Sequence, residues 1–182
     1  MRRYCLIGAK GIGKTTLFES IRDRINNVEF IIGSNVLRHL VGKDFHKFDS
    51  FPENQKEYFR KEAIKTLKRI QEETKKDLLV DGHVVLYNPT SSKVEIVFTN
   101  DDIEFFTDLI LYETSSAIIL ERRKKDTNKK RILDINIIEM EIAEEKRNAL
   151  LISKKYNISF HVIDGNDFKR AQSQLLKILT DR

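Results

Sequence analysis

Cysteine, proline and glycine are scarce in this 182-residue chain, which holds one Cys, two Pro and seven Gly. One cysteine excludes a disulfide framework and any zinc knuckle built on thiolates. With so little proline and glycine there is no linker between separate units, and neither an internal repeat nor a low-complexity stretch interrupts the chain. No apolar run approaches the 18 residues that a membrane-spanning helix needs. The first apolar block follows Arg2 and Arg3 and is too short for a signal-peptide core, so the expectation is a soluble, cytoplasmic protein. The length suits one α/β domain with a real core, and an apolar share of 40% argues against disorder.

An even spread of charge is also missing. The formal net charge is +5, from 33 Lys and Arg against 28 Asp and Glu. Seven of the basic residues and a single acid, Asp126, fall between Arg122 and Arg131, which leaves 26 basic and 27 acidic residues elsewhere. The excess is local. A nucleic-acid patch would interleave aromatic side chains with the cations, and this window has none.

What is present is an alternation of apolar blocks with longer amphipathic stretches, the pattern of βα units around a parallel sheet. Strands are expected at Arg3 to Gly8, Val28 to Ile32, Asp77 to Asp81, Asp108 to Glu113 and Ile158 to Ile163. Helices are expected from Lys14 to about Asn26, Pro52 to about Lys76, Asp101 to Phe106, about Ser115 onward, Asp134 to Lys155 and Asp167 to about Leu179. His83 to Phe98 has the form of a hairpin turning at Asn88-Pro89-Thr90-Ser91.

Three of the seven glycines lie within Gly8-Ala9-Lys10-Gly11-Ile12-Gly13-Lys14-Thr15, an unbroken G-x-x-x-x-G-K-T placed after an apolar strand and before an amphipathic helix. Glycines let the backbone wrap an anion with its N–H groups, and the helix presents its positive end. The expected ATP-binding residues are Gly8, Lys10, Gly11, Ile12, Gly13, Lys14, Thr15 and Thr16. Lys14 would reach the β- and γ-phosphates, and the Thr15 hydroxyl would serve Mg²⁺. A dinucleotide fingerprint is excluded because its third glycine position holds Thr16. A guanine-reading N-K-x-D is missing, since Asn128-Lys129-Lys130-Arg131 ends in the wrong charge. Large motor ATPases carry helical domains for which the chain has little room. Small-molecule and nucleotide kinases fit the length.

Asp81, at the tip of its strand, is the expected second Mg²⁺ group, with an ordinary strand-ending aspartate as the alternative. His83 would touch the phosphoryl acceptor or serve as a structural histidine. The cationic window falls where a kinase lid closes, and arginine's fork suits phosphate better than lysine. This singles out Arg122, Arg123, Arg131 and Arg147, beside the plainer reading of a solvated basic helix.

Taken together, GAKGIGKTTL, FIIGS at Phe30 to Ser34, Phe51-Pro52-Glu53-Asn54-Gln55-Lys56, LLVDGH, TDLILYETSSAIILERRKKDTNKKR and Lys146-Arg147 resemble, in order, the motifs of archaeal-type adenylate kinases. The resemblance implies a P-loop NTPase fold, a three-layer α/β/α arrangement on a five-stranded parallel sheet. It implies one kinase domain over residues 1–182, with a small helical acceptor-binding insertion at 33–76 and a short lid at 122–134. It implies ATP and Mg²⁺, with a nucleoside monophosphate, most of all AMP, as acceptor. By position, Lys14, Arg123, Arg131 and Arg147 are then the catalytic groups and Thr15 and Asp81 the metal groups. Ser34, Arg38 and His83 form the expected acceptor side, Arg38 as a substitute for a basic pair of these relatives that the chain lacks. The chain departs from these relatives at His46-Lys47-Phe48-Asp49, where they carry Arg-Lys, and in its hairpin. A kinase for a nucleoside or another small hydroxylated metabolite, and a non-enzymatic ATP-dependent regulatory or assembly protein, stay open as alternatives.

Overall fold

Strand β1 (Arg3–Ile7) shows how the chain builds two cores at once. Successive side chains of a strand point to opposite faces. Tyr4 and Leu6 thus enter one apolar cluster, while Cys5 and Ile7 enter another. The computed structural model describes residues 1–89, 91–127 and 131–181. After β1 come α1 (Lys14–Ile21), β2 (Val28–Ile32), α2 (Gly33–Val41), α3 (Glu53–Thr74), β3 (Asp77–Asp81), β4 (Val85–Asn88) and β5 (Lys93–Ile96). Then follow α4 (Asn100–Phe105), β6 (Asp108–Glu113), α5 (Ser116–Lys125), α6 (Ile135–Tyr156), β7 (Ser159–Asp164) and α7 (Phe168–Thr180).

Five strands form one parallel sheet in the order β2-β3-β1-β6-β7. Leu17, Phe18 and Ile21 of α1, with Ala171, Leu175 and Leu179 of α7, cover one face. Ile64 and Leu67 of α3, Phe105 of α4 and Ala149 of α6 cover the other. Because both faces are buried, the central strands are apolar almost throughout rather than alternating, which is why they stand out in the sequence. The expected three-layer α/β/α fold on five parallel strands is the observed one. Among the described residues no helix is long and apolar enough to cross a membrane.

Side-chain caps mark several helix starts. Thr99 and Asp102 form a reciprocal capping box at α4, and Ser115, Asp134 and Asp167 cap α5, α6 and α7. The first helix stops sooner than expected, at Ile21, and continues as a 3-10 turn over Arg22–Arg24. The stretch 33–50, in which the sequence pattern marks no separate helix, folds as α2 and a 3-10 segment, Gly42–Ser50. Its aromatic side chains hold it to α3. Phe45 stacks on Phe48 with ring centres 6.1 Å apart, and Phe48 meets Phe59 edge-on at 6.3 Å. The expected hairpin is β4 paired antiparallel with β5, from Val85 opposite Ile96 to Asn88 opposite Lys93. Of its expected turn, Thr90 lies outside the described residues.

At the amino end of the sheet, the buried Asp108 of β6 accepts hydrogen bonds from His161 Nε2 (3.0 Å), Thr107 Oγ1 (2.7 Å) and Arg2 Nη1 (3.3 Å). Burial alone would raise its carboxyl pKa. The bonds from His161 and Thr107 and the charge of Arg2 outweigh burial and hold it below the ordinary carboxylate value. A carboxyl depressed in the fold contributes stability above its unfolded pKa of about 3.9 and loses it as pH falls through the folded value. Asp108→Asn is therefore expected to destabilise the protein at pH 7 by about 1–3 kcal/mol. In urea unfolding the gap between variant and parent should narrow as pH falls below about 4.

Candidate active site

The P-loop leaves the carboxyl end of β1 and closes into the first turn of α1. Two of its glycines are sterically required. Gly8 has φ +147°, and a Cβ there would lie 2.5 Å from the Tyr112 carbonyl oxygen. Gly13, the residue before α1, sits at φ +97°, in the left-handed region. No side chain caps this helix, so its first N–H groups stay available to an anion.

The groups expected to serve phosphate and metal converge at this loop. Buried Lys14 donates from Nζ to the Gly8 carbonyl (2.8 Å), lies 3.3 Å from His83 Nε2 and stands 3.6 Å from Asp81 Oδ1. Thr15 Oγ1 donates to Asp81 Oδ2 at 3.0 Å. A hydroxyl and a carboxylate in hydrogen-bond contact suit Mg²⁺, which keeps most of its shell as water and phosphate oxygen and takes few protein ligands. An ammonium can only donate, so in the Lys14 pair the His83 Nε2 accepts and the ring proton sits on Nδ1. Burial, followed by the charges of Lys14 and Lys10, holds the His83 pKa well below its ordinary value and keeps the ring neutral at pH 7.

A cleft of about 950 Å³ is lined both by this loop and by residues of α2 and α3, a size suited to small-molecule ligands. Its lining includes residues 10–16, Asp81, His83, Arg122 and Arg131, together with Ser34, Arg38, Lys56, Arg60 and apolar side chains such as Phe45, Phe48, Leu67 and Phe98. Ser34, Arg38 and His83, the expected acceptor residues, all face it. Arg38 lies over the Phe45 ring at 4.9 Å and donates to Asn35 Oδ1 at 2.8 Å. Lys56 and Arg60, one turn apart on α3, both reach Glu53, at 3.4 and 2.7 Å. Their part in the cleft is not evident from a helix whose charged residues are so numerous.

The arginines divide differently from the sequence expectation. Arg131 lines the cleft, with Nε 3.0 Å from Asp126 Oδ2. Arg123 does not line it. Only 4% exposed, it donates from Nε (2.9 Å) and Nη2 (2.6 Å) to the Lys10 carbonyl and from Nη1 to the Ile132 carbonyl (3.1 Å), and it pairs with the buried Glu141. Its guanidinium is fully engaged in holding the P-loop from behind. The adjacent Arg122 is the one on the cleft, donating to the Ile12 carbonyl. Neighbours on a helix point about 100° apart, so only one of the two can face inward. Arg147 is not brought to the cleft either, because it lies exposed on α6 against Glu144. The expected lid at 122–134 begins as the last turns of α5, and its Asn128, Lys129 and Lys130 lie outside the described residues.

Two carboxylates of α6 were not singled out by the sequence. Glu141 holds Arg123. Glu145 accepts the backbone N–H groups of Gly8, Val84 and Val85. Their signal was an i, i+4 pair of acids on a helix face whose flanking residues, Ile138 and Ala149, are apolar and buried.

The sequence matches the family described as AAA domain over residues 7–141. Among curated proteins none matches it. Among solved structures, the shikimate kinase of Bacteroides thetaiotaomicron is similar at 15% identity and TM-score 0.61, over 97% of this chain and 95% of that one. That of Aquifex aeolicus is similar at 18% and 0.59, over 96% and 94%. A gluconokinase from Sinorhizobium meliloti is similar at 12% and 0.54, over 98% and 93%. At these identities the likeness establishes a shared fold.

Proposed function

The chain belongs to the AAA domain family, and from that premise we propose that it is an ATP-dependent phosphotransferase that moves the γ-phosphoryl group of ATP to a small acceptor, in the first place a nucleoside monophosphate such as AMP. The observation that carries this reading is the single cleft joining the P-loop to the cations Arg38, Lys56 and Arg60. These cations would then bind the acceptor phosphate in the same cavity as the P-loop, as an in-line transfer requires. The α1 N-terminus and Lys14 hold the donor phosphates. Thr15 and Asp81 would hold Mg²⁺, which would supply neutralisation of the phosphate charge. Arg122 and Arg131 add charge beside the transferring group. A monophosphate is already ionised at neutral pH, so no side chain has to take a proton from it, which agrees with a neutral His83 tied to Lys14.

A second acceptor class is favoured by the fold likeness to shikimate kinases and a gluconokinase, and by the apolar wall of Phe45, Phe48 and Phe98. A hydroxylated metabolite would have to lose a proton during attack, and His83, once Lys14 turns to the phosphates, is the neutral base nearest the P-loop.

Incubation with Mg·ATP and a panel of monophosphates, nucleosides, sugars and hydroxy acids separates the readings. ADP release with a monophosphate, well above the ATPase background, is the expected result. Release with a hydroxylated metabolite alone selects the second reading, and release with none removes both. With the working acceptor, Arg131→Ala is expected to lower kcat about 100-fold. Arg147→Ala, at an exposed i, i+3 pair, should change it less than about twofold.

A further inference from the structure

The middle of α6 carries a buried carboxylate that is held by backbone N–H groups rather than by a cation. Glu145 is 1% exposed, and among the described residues no Lys or Arg lies within ion-pair distance of it. Its partners are three peptide N–H groups: Gly8 (3.1 Å) and Val84 (3.1 Å) on Oε1, and Val85 (2.7 Å) on Oε2. Burying a carboxylate without a cation is costly, and the three N–H bonds offset that cost. An apolar residue there could not join the segments these N–H groups belong to.

Gly8 is the first residue of the P-loop, one position past the last paired residue of β1. Val84 precedes and Val85 opens the hairpin strand β4, directly after Asp81-Gly82-His83. The main sheet pairs Leu6 with Asp81 and ends with a bond from the Gly82 N–H to the Leu6 carbonyl (3.0 Å), and among the described residues β4 pairs only with β5, so no sheet hydrogen bond reaches from Gly8 to the hairpin. Glu145 makes that tie, with one oxygen shared between the two segments. Gly8 is held through both of its backbone groups, its N–H by Glu145 and its carbonyl by Lys14 Nζ at 2.8 Å. His83 Nδ1 lies 3.8 Å from the same Oε1.

We propose that Glu145 is a positioning residue that sets the spacing between the P-loop and the Asp81–His83 segment, and with it the register of Lys14 and Thr15 against Asp81. Its kinetic consequence rests on the phosphotransfer reading above, whereas its structural consequence does not. The carboxylate is suited to this because it accepts on both oxygens. Glutamine, of equal size, keeps the bonds to Gly8 and Val84 and sets its amide NH₂ against the Val85 N–H, donor to donor.

Glu145→Gln is the decisive variant, since Glu145→Ala strands three buried N–H groups and is expected to unfold. Three readouts are taken on the folded Gln variant. In amide NMR the Val85 resonance should shift and its hydrogen exchange should accelerate, with Gly8 and Val84 less affected. The gain in affinity for a non-hydrolysable ATP analogue on adding Mg²⁺ should shrink about tenfold, as Thr15 and Asp81 lose their spacing. With a working acceptor, kcat should fall about tenfold or more while the KM for Mg·ATP changes less than about threefold. A variant with an unchanged Mg²⁺ gain and unchanged kcat overturns the proposal, as does a lowered Tm as its only effect. If the parent protein transfers phosphate to no acceptor, the functional reading fails, while the NMR and Mg²⁺ readouts still decide the role of Glu145.

Discussion

Arg123→Ala is expected to lower the unfolding free energy by about 3–5 kcal/mol, a large share of the 5–15 kcal/mol typical of a domain. Removing the guanidinium leaves Glu141, also buried, as a charge without its cation, and leaves the carbonyls of Lys10 and Ile132 without donors. At this chain length each kcal/mol moves Tm by about 2–4 °C, so a fall of roughly 10 °C should accompany the loss. In urea the midpoint should drop at unchanged slope. Replacing both partners, Arg123→Met with Glu141→Leu, should recover most of the stability, because a buried ion pair seldom outperforms apolar side chains of similar volume. ATP affinity should be weakened in both the single and the double variant, since each leaves the Lys10 carbonyl unheld. If the single variant instead kept its stability and lost only turnover, Arg123 would be a phosphate ligand, the role implied by its place in the arginine run.

The second large effect belongs to Lys14. Lys14→Ala is expected to reduce the phosphoryl-transfer rate by about 10²–10³-fold, the usual cost of deleting one preorganised group from a charge-stabilising site. Single-turnover measurement at saturating ATP isolates that step from binding. The side chain meets three groups at once, the Gly8 carbonyl, His83 and Asp81, so its removal also leaves a signature that needs no acceptor. After burial, the charge of Lys14 is the largest influence depressing the His83 pKa. Without that cation the value should move upward, toward the ordinary histidine range, in an NMR titration of the ring. A rate loss below tenfold, with an unmoved His83, would mean that Lys14 does not face the phosphates.

Both predictions depend on features that differ in how far the sequence discloses them. The strands were legible because a parallel sheet covered on both faces makes each strand a short apolar run, as in VEFII, DLLVD and DLILYE. The P-loop was legible because its demands are local. Gly8 and Gly13 adopt dihedrals that other residues resist, and Lys14 and Thr15 follow at a spacing set by the first helical turn. The insertion was legible only as a charged helix. Phe45, Phe48 and Phe51 carry no helical or strand period, and their meaning appears once they stack against one another and against Phe59.

The arginines mark where sequence reading ends. That a basic run lies near the P-loop follows from its position after β6. Which member faces the cleft depends on the rotational phase of α5 against that loop, and that phase is set by Ile119 in the core on one side and Glu141 of α6 on the other. The same holds for Glu145, whose partners Gly8, Val84 and Val85 are separated from it by 137, 61 and 60 residues. By itself the sequence determined the five-stranded α/β fold and the phosphate loop, because hydrophobic period and backbone conformation are properties of neighbours along the chain. Only the tertiary structure decided that Arg122 and Arg131 line the cleft while Arg123 and Arg147 do not, and that one carboxylate joins the P-loop to the hairpin. Those assignments depend on how α5 and α6 dock against the sheet, and docking is a property of distant segments meeting.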